Sequence, residues 1–144
     1  MKFFKLAKLR ELLQSDSNRL RMWATYQLIE NHEEKAGEFV AELMEAKEEE
    51  IRETGIYLAG KYGLDNYEFK LLGIFQRTSG AIKHACAIAL SSLESKSFQP
   101  ILWRWIEQLQ KTEELNIPDL QCAAECWLNS MGPEGWMTLD ELLH

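Results

Sequence analysis

Ile51-Arg52-Glu53-Thr54-Gly55-Ile56-Tyr57-Leu58-Ala59-Gly60-Lys61-Tyr62-Gly63 is the stretch whose reading decides the fold. Ile51, Gly55, Leu58, Ala59 and Tyr62 return every three or four residues, which is the spacing of one face of a helix. Gly55, Ala59 and Gly60 are small enough to let a neighbouring helix come close. Gly63 can take the left-handed conformation that ends a helix, because it carries no Cβ.

The stretch recurs. Leu20, Ile51, Ile82 and Leu120 form one column, with steps of 31, 31 and 38 residues. Four residues on come Ala24, Gly55, Cys86 and Ala124, all small, and then Leu28, Ala59, Leu90 and Leu128. The intervening segments keep the same step. Leu9, Val40, Leu71 and Leu102 align, as do Leu12, Leu43, Ile74 and Trp105, and Leu13, Met44, Phe75 and Ile106. Independent columns sharing one period in the range of about 20–50 residues signify stacked supersecondary units. Each helix pair has an apolar face that only a neighbour can bury.

In chain order, the spacing predicts helices over roughly 2–14, 19–30, the late 30s to about 46, and the opening stretch. Further helices follow near 66–77, 81–93, 98–110 and 117–131, with a short last one over 134–143 after Gly132-Pro133. Candidate N-caps are the Ser15–Asn18 turn, Asp65 with Glu68 as a capping box, Ser79, Ser97 and Asn116. The turn Asn31-His32-Glu33-Glu34 separates the second and third helices. No segment keeps the alternation of a strand. The expectation is an all-α, α-α superhelix in one domain, 1–144. It has about four helix pairs (about 2–30, 33–62, 65–93 and 97–131) and a terminal helix.

On these residues the chain resembles the HEAT-repeat family and its bacterial HEAT-like relatives. The family's second helix carries an aliphatic residue, a basic one, small residues and then Leu. Ile51-Arg52 with Gly55, Ala59, Gly60 and Gly63 matches this pattern. So do Ile82-Lys83 with Cys86, Ala87, Ala89 and Leu90, and Leu20-Arg21 with Ala24 and Leu28. The fourth unit has Gln121 where the basic residue belongs. The resemblance implies that second helices line a concave surface. That places Met22, Glu53 and His84, and Tyr26, Tyr57 and Ile88, on the face turned away from the core column. Tyrosines and an isoleucine on a face that should be solvated suggest a groove for a protein partner, weighed against plain packing between repeats. Arg21, Arg52 and Lys83 form a basic column. It could hold an acidic peptide or phosphate, but a ladder to loop acids such as Asp16 or Asp65, or to loop amides, is the expectation.

The remaining features narrow the function classes. The 144 residues carry a formal charge of -7, which disfavours general nucleic-acid binding. Lys2, Lys5, Lys8 and Arg10 make the first ten residues +4. An ordinary first helix with a solvated basic face explains them better than membrane contact does. Three cysteines, an odd number, suit a reducing compartment, and a cytoplasmic protein is expected. Cys122 and Cys126 share a helical face. With His84 as the only further candidate ligand they are too few for zinc, so buried small residues are expected and no metal or cofactor. Neither His32 nor His144 belongs to a motif, and the Glu48–Glu50 run reads as a solvated helix start. Ser91-Ser92 lacks the glycines of a nucleophile elbow. Trp103 aligns with Ala41 and Leu72, and faces either solvent or a partner.

The sequence therefore points to a non-catalytic interaction or scaffold module. Among HEAT-like relatives, DNA glycosylases and bilin lyases are the enzyme alternatives. A glycosylase would use a basic concave face and a carboxylate such as Glu53. Self-association through Trp136, Met137 and Leu139 of an uncovered terminal helix, giving a homodimer, is a third course.

Overall fold

A computed structural model describes residues 5–32 and 36–143, with side chains for 5–17, 19–32 and 37–131. The described residues are helical and contain no strand. The helices are α1 (Leu6–Leu12), α2 (Asn18–Asn31), α3 (Ala36–Met44), α4 (Glu49–Lys61), α5 (Glu68–Arg77), α6 (Gly80–Ser92), α7 (Phe98–Lys111) and α8 (Ile117–Leu143). A 3-10 turn, Asp65–Tyr67, precedes α5. Phe3, Glu33, Glu34 and His144 fall outside the described residues, as do the side chains of Trp136, Met137 and Leu139.

Two compact units divide the chain, Met1–Ala59 and Gly60–His144. In the first, α1 packs on α2 and α2 on α3. Leu9, Ala24, Leu28 and Phe39 make a fully buried cluster, with Leu6, Leu12 and Leu13 against it. Each large apolar side chain sealed in this way stabilises the fold by about 1.5–3 kcal/mol. The helix of the opening stretch meets α3 at Gly55, where an added Cβ would lie 2.8 Å from the Cβ of Leu43 and 3.0 Å from the Met44 amide nitrogen. In the second unit α6 packs on α5, α7 and α8, and α7 packs on α8. Phe75 meets Phe98 and Trp105 edge-on, both with ring centroids 5.1 Å away. Gly60 packs against the backbone of Ala89, 2.8 Å from where its Cβ would be.

Burial follows the columns of the first helices closely. Leu9, Val40, Leu71 and Leu102 are all fully buried, and Leu43, Ile74, Trp105, Met44, Phe75 and Ile106 are buried beside them. The second helices follow less closely. Ile51, Ile82, Ala24, Cys86, Leu28, Ala59 and Leu90 are buried, but Leu20 is 43% exposed, because burial along α2 starts only at Ala24. In α8 the buried stripe is Ala123, Cys126 and Trp127, while Ala124 and Leu128 are half-buried. The stripe is displaced by one residue, about 100° of helix rotation.

The helix ends depart from the sequence reading in several places. Ser17 caps α2, accepting from the Leu20 amide at 3.3 Å, and Asn116 caps α8, accepting from the Asp119 amide at 3.1 Å. Gly63 takes the left-handed conformation, φ 63°. The capping box of Asp65 and Glu68 does not form. The 3-10 turn moves the start of α5 to Glu68, whose carboxylate accepts instead from the Ser95 hydroxyl. Neither Ser79 nor Ser97 makes a side-chain cap. Ser97 already has helical backbone angles, so its oxygen is not placed over the free amides. The Phe98 amide donates to Ser95 Oγ at 3.2 Å.

At the end of α6, Ser95 N–H bonds Leu90 O and Glu94 N–H bonds Ser91 O, both near 3 Å, with Glu94 left-handed at φ 54°. That pairing is a Schellman motif with a glutamate where glycine is usual. Finally, α8 is one helix of 27 residues and does not break at Gly132-Pro133. A proline inside a helix forfeits one backbone bond at about 3 kcal/mol, a penalty that a helix of this length carries here.

Candidate functional site: a groove between α6 and α8

Helices α6 and α8 of the second unit flank a groove of about 610 Å³. His84, Ile88, Ser91 and Ser92 come from α6, and Pro118, Gln121, Cys122, Glu125, Cys126 and Asn129 from α8. His84 and Ile88 are four apart on α6 and so share its face. Ile88 is 53% exposed, and His84 is half-buried.

The mouth is fixed by a polar chain. His84 Nε2 lies 2.5 Å from Asp119 Oδ1. A carboxylate can only accept, so Nε2 carries the hydrogen. Asp119 Oδ2 accepts from Asn116 Nδ2 at 3.2 Å, and the Asp119 amide returns to Asn116 Oδ1. Asp119 lies in the first turn of α8, where the helix dipole favours an acid. The same residues that start α8 thereby tie it to α6. Sequence reading singled out His84 but missed Asp119. The signal was Asn116-Ile117-Pro118-Asp119, a cap followed three residues later by an acid that can bond back.

The floor holds two thiols. Cys122 is half-buried and Cys126 buried, one helical turn apart on α8. The neighbouring Cys126 sulfur, with burial second, pushes the Cys122 thiol far above its ordinary value, while Cys126 itself is held below its own, chiefly by Cys122. Cys122 Sγ also lies 3.9 Å from the His84 carbonyl oxygen. The thiol is turned to the backbone of His84, the ring nitrogen Nε2 is committed to Asp119, and the proton is held. An activated nucleophile would need a thiol on a base and a lowered value. Among the described residues no three His, Cys, Asp or Glu side chains are arranged to hold a metal ion.

The other expected binding residues are distributed between the units. Met22, Tyr26, Glu53 and Tyr57 belong to the first. Met22, Tyr26 and Glu53 are half-buried, while Tyr57 is 50% exposed. His84 and Ile88 belong to the second and meet at the groove. Cys126 is buried, as expected of it as a small core residue, and it belongs to the rotated α8 stripe.

The basic column is engaged within the chain. Arg21 pairs with Glu48 at 2.8 Å, not with Asp16 or Asp65. Glu48 is held below the usual carboxylate value, first by a backbone hydrogen bond and then by Arg21. Arg52 donates to the Lys47 and Ala46 carbonyls at 3.3 and 3.5 Å. Lys83 donates to the Phe75 carbonyl at 3.0 Å and lies 4.0 Å from the Phe75 ring and 5.4 Å from that of Trp105. Arg52 and Lys83 thus stay near a loop or helix end of their own helix pair, and Arg21 reaches the connection of the next. Trp103 packs on Trp127 of α8, ring centroids 4.7 Å apart, so its partner lies within the chain.

Comparison with protein-family models gives no match, and comparison with curated proteins gives none.

Proposed function

We propose that the chain is a non-catalytic interaction module of the HEAT-like helical-repeat type. The pairs α1–α2, α3–α4, α5–α6 and α7–α8 are its successive repeats, and the outward faces of the second helices hold a segment of a partner protein. The observation that supports this most is Ile88, 53% exposed on the rim of the groove between α6 and α8. An isoleucine left half in water beside hydroxyl, amide and carboxylate groups is suited to a peptide segment that offers one apolar side chain and a backbone to bond. Tyr57 gives the first unit a comparable exposed contact. Asp119 and Glu125 make the α8 side acidic, so a segment with a basic residue beside the apolar one fits best. The enzyme alternatives draw no such support, because Arg21, Arg52 and Lys83 are bonded within the chain, the half-buried thiol Cys122 holds its proton, and Cys126 is buried.

The test is affinity capture with the intact chain, Ile88→Asp, and Tyr26→Ala with Tyr57→Ala. A partner held by the wild type is expected to be lost by the Ile88 variant and weakened by the tyrosine pair, with helicity and melting unchanged. Retention of every captured protein by both variants would overturn the reading.

A further inference from the structure

The thiols on the groove floor are used by nothing above. We propose that Cys122 and Cys126 form a two-coordinate site for a soft monovalent metal cation of the copper(I) class. Three observations carry this. The sulfurs sit four residues apart on one face of α8, a single helical turn, so one ion can bridge them. Both line a groove open to water, with half-buried Cys122 at the point of entry and buried Cys126 behind it. The Ser91 hydroxyl lies beside Cys126, sealed from solvent, and makes no hydrogen bond of ordinary geometry among the described residues.

The ligand count selects the ion. Zinc in a structural site takes four ligands, and a soft d10 monovalent ion is satisfied by two thiolates. His84 adds no third ligand through Nε2, which is bonded to Asp119. In the binding step two S–H bonds break, two metal–sulfur bonds form, and two protons leave to solvent with no electron transferred. Apparent affinity therefore rises with pH. Asp119 and Glu125 close by favour a cation over an anion at the mouth. The inference does not depend on a protein partner, since it rests on the floor of the groove and the partner reading on its rim.

The test uses the reduced full chain under anaerobic conditions, titrated with copper(I) supplied from a colorimetric chelator. One copper per chain is expected, with ultraviolet thiolate-to-metal absorption and a raised melting temperature. Cys122→Ser and Cys126→Ser should each weaken binding by about a hundredfold or more, while Cys86→Ala keeps wild-type affinity. Should a serine variant fail to fold, Cys122→Ala and Cys126→Ala replace it. The proposal is overturned by a wild type that takes no copper from the chelator, by a folded Cys122 or Cys126 variant with wild-type affinity, or by loss of the site in Cys86→Ala.

Discussion

Gly55 and Gly73 are both glycines inside helices, and the same substitution should act on them in opposite directions. A Cβ at Gly55 would press on the Cβ of Leu43 and on the Met44 backbone, which cannot move aside without parting α3 from α4. Gly55→Ala is expected to cost roughly 1–3 kcal/mol from overpacking, more than the ~1 kcal/mol that alanine gains in helix propensity. At Gly73 nothing lies within 4 Å of the added carbon, so Gly73→Ala should stabilise by about 0.5–1 kcal/mol. Urea midpoints of the two variants check both signs. The first of these roles was legible in the sequence, because Gly55 shares a column with Ala24 and Cys86. The second was not. Nothing in the pattern distinguishes a glycine against a neighbour from one facing open space.

Among elements, the joint of α5, α6 and α7 turns on Ser95. Its hydroxyl donates to Glu68 and accepts from the Phe98 amide, while its own amide closes the end of α6. Ser95→Ala leaves two of those groups without a partner in a buried place and is expected to cost about 1–2 kcal/mol. Ser97→Ala should change stability by less than about 0.5 kcal/mol. Thermal melts of the two side by side test the assignment, and equal losses would contradict it. The sequence put the cap at Ser97 because that serine stands directly before the helix, whereas the amide is reached from one turn further back. The first helices of the pairs were read correctly because α3, α5 and α7 each bury all three column residues, and in α1 Leu9 is sealed with Leu12 and Leu13 half-buried against the core. In α8 the step of 38 residues contains a connection whose length periodicity does not fix. A one-residue error in it turned Ala124 and Leu128 away from the centre of the buried stripe and left Ala123 and Trp127 out of the expected core.

The stability of the whole molecule should carry an alkaline signature from Cys86. This thiol is fully buried, and burial pushes its pKa up to about 12 from an ordinary 9.0. Between those values the unfolded chain releases a proton that the folded chain keeps, so stability falls as pH rises through the window. The slope is at most about 1.4 kcal/mol per pH unit. Lys83 is held below its ordinary value, chiefly by burial, and acts in the opposite sense. Comparison with Cys86→Ala isolates the thiol, since Lys83 is present in both chains. The wild type should lose ground to that variant between about pH 8 and about pH 10.5, and a constant difference would refute the assignment. Helical content and the absence of strand in the described residues were legible from 3.6-residue spacing alone. The pairing of His84 with Asp119 was not, because it joins residues 35 apart across two helices.

The boundary between the two compact units, at Ala59–Gly60, lies inside α4 and not in a connection. Units separated by a loop can be deleted, duplicated or exchanged whole, as cassettes. Here such a cut would sever a hydrogen-bonded helix and leave unpaired carbonyls on one fragment and unpaired amides on the other. Duplication or insertion in this chain would have to begin instead at the connections near 45–48, 62–64 or 93–97, where backbone bonds already end. The grain along which the protein can be rearranged is therefore its helix pairs, not its two regions of dense packing.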